Sequence, residues 1–205
     1  MKLHHSINTK HTTRLFNNKY KYKAVVITKK ASLFRGKNFD CLKEKVDLDP
    51  KLSDDEKVFI FKIYNFFKKI DDFTLRIENP LISFYTNSPD DIEKLTKLDV
   101  SRIKYVSYPK PGSESLLDSK KIIVKTLDFE FKVTIGPTRQ NYSNFIAWCD
   151  NQNHRIKMPK RARSQLAKDR SWGGYYIYVK DEKLLTMVKM FLGGNIQAVE
   201  SLIKA

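Results

Sequence analysis

Two hydrophobic periods alternate along the chain. The clearest helical one is SDDEKVFIFKIYNFFKKI, residues 53–70, where Ile60, Ile63, Tyr64 and Phe67 recur at helical spacing and Phe59, Phe66 and Ile70 widen the stripe. Ser53 and Glu56 form an S-x-x-E capping box. Asp54 and Asp55 sit where the helix dipole favours negative charge, and Lys68 and Lys69 sit at the opposite end. The pattern predicts a helix central to the core.

Other stretches follow the two-residue period of strands. From Arg14 to Thr28, Lys19, Lys21 and Lys23 alternate with Tyr20, Tyr22 and Ala24. Residues 73–78 and 82–86 read as strands joined at Asn79-Pro80. IKYVSYP reads as another, KIIVKTLDFEFKVTIGP as one or two ending at Gly136-Pro137, and YYIYVK as a further one. Between them lie helix signals. A short helix is expected near Asp40–Val46, and a capped one from Ser88, Asp90 and Asp91 to Leu98. YSNFIAWCD, 142–150, reads as a helix, and Pro159 suits the first turn of another over 160–169. Asp181 caps DEKLLTMVKMFLGG, with Leu184, Val188 and Leu192 on one face and Gly193 at the C-terminal end. A last helix is expected over 195–203.

This interspersion predicts an α+β fold: a mainly antiparallel or mixed sheet with helices packed on it and a C-terminal helical pair. Residues 1–13 have little periodicity and are expected to form a flexible basic arm. Residues 14–205 are expected to form a single compact domain, with a subdivision near 108–120 as the alternative. No internal repeat is visible.

Composition narrows the class. Hydrophobic residues make up 41% and aromatic residues 12% of the 205, too much for a disordered chain. No apolar run approaches a membrane span, and the basic N-terminus lacks the apolar stretch of a secretory signal. The only cysteines, Cys41 and Cys149, lie far apart. The expectation is a soluble cytoplasmic protein in a reducing compartment, with no membrane partner.

Charge changes the picture more. The net charge is +16, and its distribution is uneven. Residues 1–39 carry ten Lys/Arg and no acid, residues 154–170 carry seven against one acid, and residues 40–153 are nearly balanced. Two concentrated basic blocks point to a polyanion. In the first, Lys19, Lys21, Lys23, Lys29, Lys30, Arg35 and Lys37 are candidate phosphate contacts. In the second they are Arg155, Lys157, Lys160, Arg161, Arg163, Lys168 and Arg170. On a helical wheel the second block fans Lys160, Arg161, Arg163, Lys168 and Arg170 across one side, over a Met158/Ala162/Leu166 seam. Trp172 and Tyr176 are candidate stacking rings beside it. Each feature also has a plainer explanation. The lysines can protect a sheet edge, the tyrosines can be core, and the helix can present an ordinary wet face.

The signs of catalysis are thin. His4, His5, His11 and His154 show no metal-ligand spacing, and the glycines make neither a phosphate loop nor a dinucleotide fingerprint. No cofactor or metal is expected. The strongest enzymatic pattern is Asp128, Glu130 and Lys132, which alternate with apolar residues. On one strand face they would make a metal-dependent nuclease site. The candidate helices at 142–150 and 160–169 are too far apart for a helix-turn-helix.

The sequence therefore leads to a non-enzymatic accessory protein that binds DNA or RNA in replication, transcription or packaging. The alternatives are an adaptor docking an acidic protein, such as a polymerase or capsid component, and the nuclease.

Overall fold

The computed structural model describes residues 1–35, 42–152 and 154–204. They gather into two compact units, Met1–Ser115 and Leu116–Ala205. This division falls inside the 108–120 stretch. The expected class holds: α+β, with two mixed sheets of five strands each.

Unit 1 runs β1 (Thr9–Thr12), β2 (Tyr22–Ile27), α1 (Leu42–Asp47), α2 (Asp54–Phe67), β3 (Phe73–Glu78), β4 (Leu81–Thr86), α3 (Pro89–Leu98) and β5 (Ile103–Pro109). Its sheet order is β1-β5-β2-β4-β3, with β1 parallel to β5 and the other neighbours antiparallel. The expected helix caps are made. Ser53 accepts from the Glu56 amide, and Ser88 accepts from the Asp91 amide at 3.2 Å. The Glu56 carboxylate does not reach back to close the box. It is buried against the Arg102 guanidinium at 2.5 Å and also accepts from the Thr28 hydroxyl. Phe59, Ile60, Ile63 and Phe67 of α2 pack with Ala24, Val26, Ile82 and Phe84 of the sheet. By strand alternation, Lys23, Val25, Ser83 and Tyr85 point to the other face.

Three expectations change here. Residues 1–13 are not a loose arm: Ile7 is buried, and Thr9–Thr12 pairs in register with Val106–Pro109. The first long strand begins only at Tyr22, because Asn17 and Asn18 take left-handed φ values of 51° and 55° and turn the chain between Phe16 and Tyr20. β2 lies between β5 and β4, so Lys23 does not guard a sheet edge, and Lys19 and Lys21 precede the strand.

Unit 2 runs β6 (Lys121–Val124), β7 (Phe131–Ile135), α4 (Ser143–Asp150), β8 (Ile156–Lys157), α5 (Lys160–Leu166), β9 (Tyr175–Val179), α6 (Glu182–Leu192) and β10 (Ile196–Lys204). Its order is β6-β10-β7-β9-β8, with β6 parallel to β10 and the rest antiparallel. Of the expected C-terminal helical pair, α6 forms, followed by the short turn Gly193–Asn195. Residues 196–204, read as helix, form the strand β10 between β6 and β7. Its apolar spacing suits either state, and two ready strand edges decide it.

Strand order and direction are the same in both units. In each, strand–helix–strand crossovers are split by an inserted strand, as in ferredoxin-like sheets, and one extra N-terminal strand adds in parallel at the edge. The chain thus contains a structural repeat that its residues do not announce.

Candidate functional site

The first basic block is partly spent within unit 1. Lys19 pairs with Asp72 at 2.5 Å, and that contact raises the lysine's pKa. Lys30 pairs with Asp49 at 2.5 Å. The Lys23 ammonium lies 5.5 Å from the Tyr85 ring centroid and 5.3 Å from that of Tyr105. Phe16 packs on Tyr85, which is only 4% exposed. The Tyr85 ring is therefore closed to a stacking ligand, while Tyr105 is half-buried beneath Lys23 and Lys10. Lys21, Lys29 and Arg35 have no carboxylate within 4.0 Å among the described residues. Lys37 lies outside those residues.

The second block is arranged differently. α5 stops at Leu166, so Lys168 and Arg170 leave the expected helix and enter the loop toward β9. That loop is drawn away by a bridge between Ser171 and Thr138, with backbone bonds of 2.9 and 3.0 Å. The apolar seam behaves as read: Ala162 and Leu166 are buried, and Met158 packs against the core. Two of the candidate cations are neutralised. Arg163 forks onto Asp150, and Arg155 meets Asp181 at 2.6 Å. The Asp150 and Asp181 carboxyls are held below their usual range, Asp150 mainly by Arg163 and Asp181 first by the Leu184 amide and then by Arg155. Lys157, Lys160, Arg161, Lys168 and Arg170 are exposed, with no carboxylate within 4.0 Å among the described residues.

Rings accompany these cations. Trp172 is 78% exposed, and the Arg170 guanidinium lies 5.0 Å from its ring centroid. Tyr176 is 39% exposed on the sheet face opposite the helices, edge-on to Tyr178 at 5.4 Å, with the Lys132 ammonium 5.1 Å away. Burial first, then Tyr176, raises the Tyr178 pKa and keeps its hydroxyl protonated. Arg161 lies 5.9 Å from the Tyr175 ring centroid.

Gly173 holds the loops together. Its φ is +77°, and a Cβ there would stand 2.4 Å from the Gly136 carbonyl carbon and the Pro137 nitrogen. The Gly174 amide donates to Ile135 at 2.8 Å, and the Gly136 amide donates to Asn195 at 2.7 Å. The result is a concavity of about 600 Å³ whose lining includes Arg139, Gln140, Arg170, Trp172 and Asn195. Sequence reasoning missed Arg139, Gln140 and Asn195. The only signal for Arg139 was its place just after the strand-ending Gly136-Pro137.

The nuclease arrangement does not form. Asp128 and Glu130 precede β7 and are exposed, and Lys132 pairs instead with Glu200 at 3.0 Å. The Glu130 backbone extends the ladder by one residue, bonding to Val179 and Leu202, but Asp128 lies in a bend before it, so the three groups do not line up along one strand.

Fold and site together define a protein with a repeated split β-α-β sheet and an aromatic, cationic loop cluster on its second unit. No family model matches the chain, and no curated protein or solved structure matches it either.

Proposed function

We propose that the protein is a non-enzymatic accessory factor that binds single-stranded nucleic acid through unit 2. The observation that carries this reading is the combination of Trp172, 78% exposed beside Arg170, with five exposed cations that no carboxylate neutralises among the described residues. Cations of this kind displace counterions from phosphates, while rings accept unpaired bases, whose faces are hidden in a duplex. Split β-α-β sheets with exposed rings on their central strands are one established way to bind single-stranded RNA. Tyr176 holds such a position on β9.

The test is binding to matched single- and double-stranded DNA and RNA at about 50 and 200 mM salt. Single strands should bind more tightly than duplexes, and affinity should fall with salt. Absence of binding to all four overturns the reading. Capture of an acidic protein that survives nuclease treatment, with no oligonucleotide binding, would identify an adaptor instead.

A further inference from the structure

Resting on that reading, we propose that the loop cluster of unit 2 is a single-nucleotide subsite. One base stacks on Trp172, and the phosphate attached to it lies between Arg139 and Arg170.

Three features of the cluster converge on a nucleotide rather than on a bare anion or an apolar ligand. The first is the ring. An indole 78% exposed in a 205-residue chain contributes little to folding, and here it forms one wall of a concavity. A flat, partly polar heterocycle suits such a wall, stacking on the indole face opposite the one that the Arg170 guanidinium covers. The second is charge. Arg139 and Arg170 line the same concavity, both are exposed, and neither has a carboxylate within 4.0 Å among the described residues. Arginine forks match phosphate oxygens in pairs. The third is the polar wall. The side-chain amide nitrogens of Gln140 and Asn195 both donate to the Tyr142 hydroxyl, Gln140 at 3.0 Å. Their amide oxygens are thereby directed away from Tyr142 as acceptors for the amino or imino hydrogens of a base edge. A volume of about 600 Å³ is of the order that small-molecule sites occupy.

The walls are also held in place before any ligand arrives. The Thr138–Ser171 bridge, the Gly136–Asn195 bond and the close passage of Gly173 over Gly136-Pro137 join three separate loops. A site fixed in this way loses little conformational freedom on binding.

The chain has only two tryptophans, Trp148 and Trp172, which supplies a direct test. In Trp148→Phe all indole emission comes from Trp172. That variant is titrated with adenosine monophosphate, with adenosine and with inorganic phosphate. The nucleotide should quench the emission and bind about tenfold more tightly than either half of it. Arg139→Ala and Arg170→Ala should each weaken the nucleotide about tenfold and leave adenosine unchanged. Arg139 and Arg170 are exposed, and Trp148→Phe keeps an aromatic ring against Phe145 and Phe191, so the variants should fold. Quenching by phosphate alone, or none by the nucleotide, overturns the subsite. A labelled single-stranded oligonucleotide separates this from the broader reading. If it binds while Trp172 emission stays constant, the subsite fails and the single-strand reading stands; if it does not bind, both fail.

Discussion

Lys132 stands directly across the β7–β9 ladder from Tyr178, and Lys23 stands in the same position across the β2–β4 ladder from Tyr85. The two units therefore repeat a side-chain pair as well as a strand order. Each tyrosine also has a covering ring, Phe16 on Tyr85 and Phe129 on Tyr178. What differs is the residue two positions earlier on the strand, a buried Ser83 in unit 1 and an exposed Tyr176 in unit 2.

This asymmetry predicts opposite outcomes for two tyrosine substitutions. Tyr176→Ala should weaken single-strand binding about tenfold and hardly change stability, because the ring is already 39% exposed. Tyr85→Ala should leave binding intact and destabilise unit 1 by about 3 kcal/mol, since it empties a buried ring site. Fluorescence anisotropy and urea unfolding read the two effects separately. Loss of binding in Tyr85→Ala would contradict the assignment of the interface to unit 2.

The ion pairs divide the second basic block into contributing and silent cations. Replacing Lys160, Arg161 and Lys168 together with alanine should reduce the slope of log affinity against log salt by about 2. Replacing Arg155 and Arg163 together should change it little, because Asp181 and Asp150 already hold them. Equal slopes in both variants would show that the cations contacting phosphate lie elsewhere.

Gly173→Ala should be costly out of proportion to one methyl group. It forces an L side chain to φ +77° and drives a Cβ into the Gly136-Pro137 backbone. A loss of about 2–3 kcal/mol is expected, with weaker nucleotide binding as the three loops separate. Gly174→Ala has the same φ but open space around it, so it isolates the conformational part. If the two variants melt together, the close approach is not what holds the cluster.

Alkaline pH should destabilise both units. Burial, and then Asp150, pushes the Cys149 thiol from its ordinary 9.0 up to about 12, and burial with the Glu114 carboxylate pushes the Tyr22 hydroxyl up to about 12. The folded state keeps these protons where the unfolded chain releases them. Stability is thus fully present below the ordinary values and falls as pH rises through them toward about 12. Urea midpoints should decline from about pH 9 upward, and Cys149→Ala should flatten the part belonging to unit 2. A thiol reagent at pH 8 should leave Cys149 unmodified until the protein is unfolded; rapid labelling at Cys149 in the native state, read by peptide mapping, would contradict its burial.

How far the chain can be read from its residues depends on the range of the interaction involved. The helices α2, α3 and α6 were legible because Ser53, Ser88 and Asp181 bond to amides three residues away, beside apolar stripes of the right period. Trp172 and the cations around it were legible as a concentration of types. The nuclease triad was misread because alternation was extended back to Asp128, which lies in a bend before the ladder. The last helix was misread because Ile196–Lys204 becomes a strand only through pairing with β6 and β7, partners far away in sequence.

The sequence by itself determined the α+β class, the capped helices, the excess of positive charge and the ring-rich stretch that follows it. These follow from local hydrogen bonds, side-chain period and composition, all contained within short windows. Only the tertiary structure decided which cations remain unpaired, that Phe16 covers Tyr85, and that Arg139, Gln140 and Asn195 join Trp172 around one concavity. Those outcomes depend on backbone passing within a few ångströms at Gly173 and on carboxylates delivered from other elements, and no short window of residues encodes such meetings.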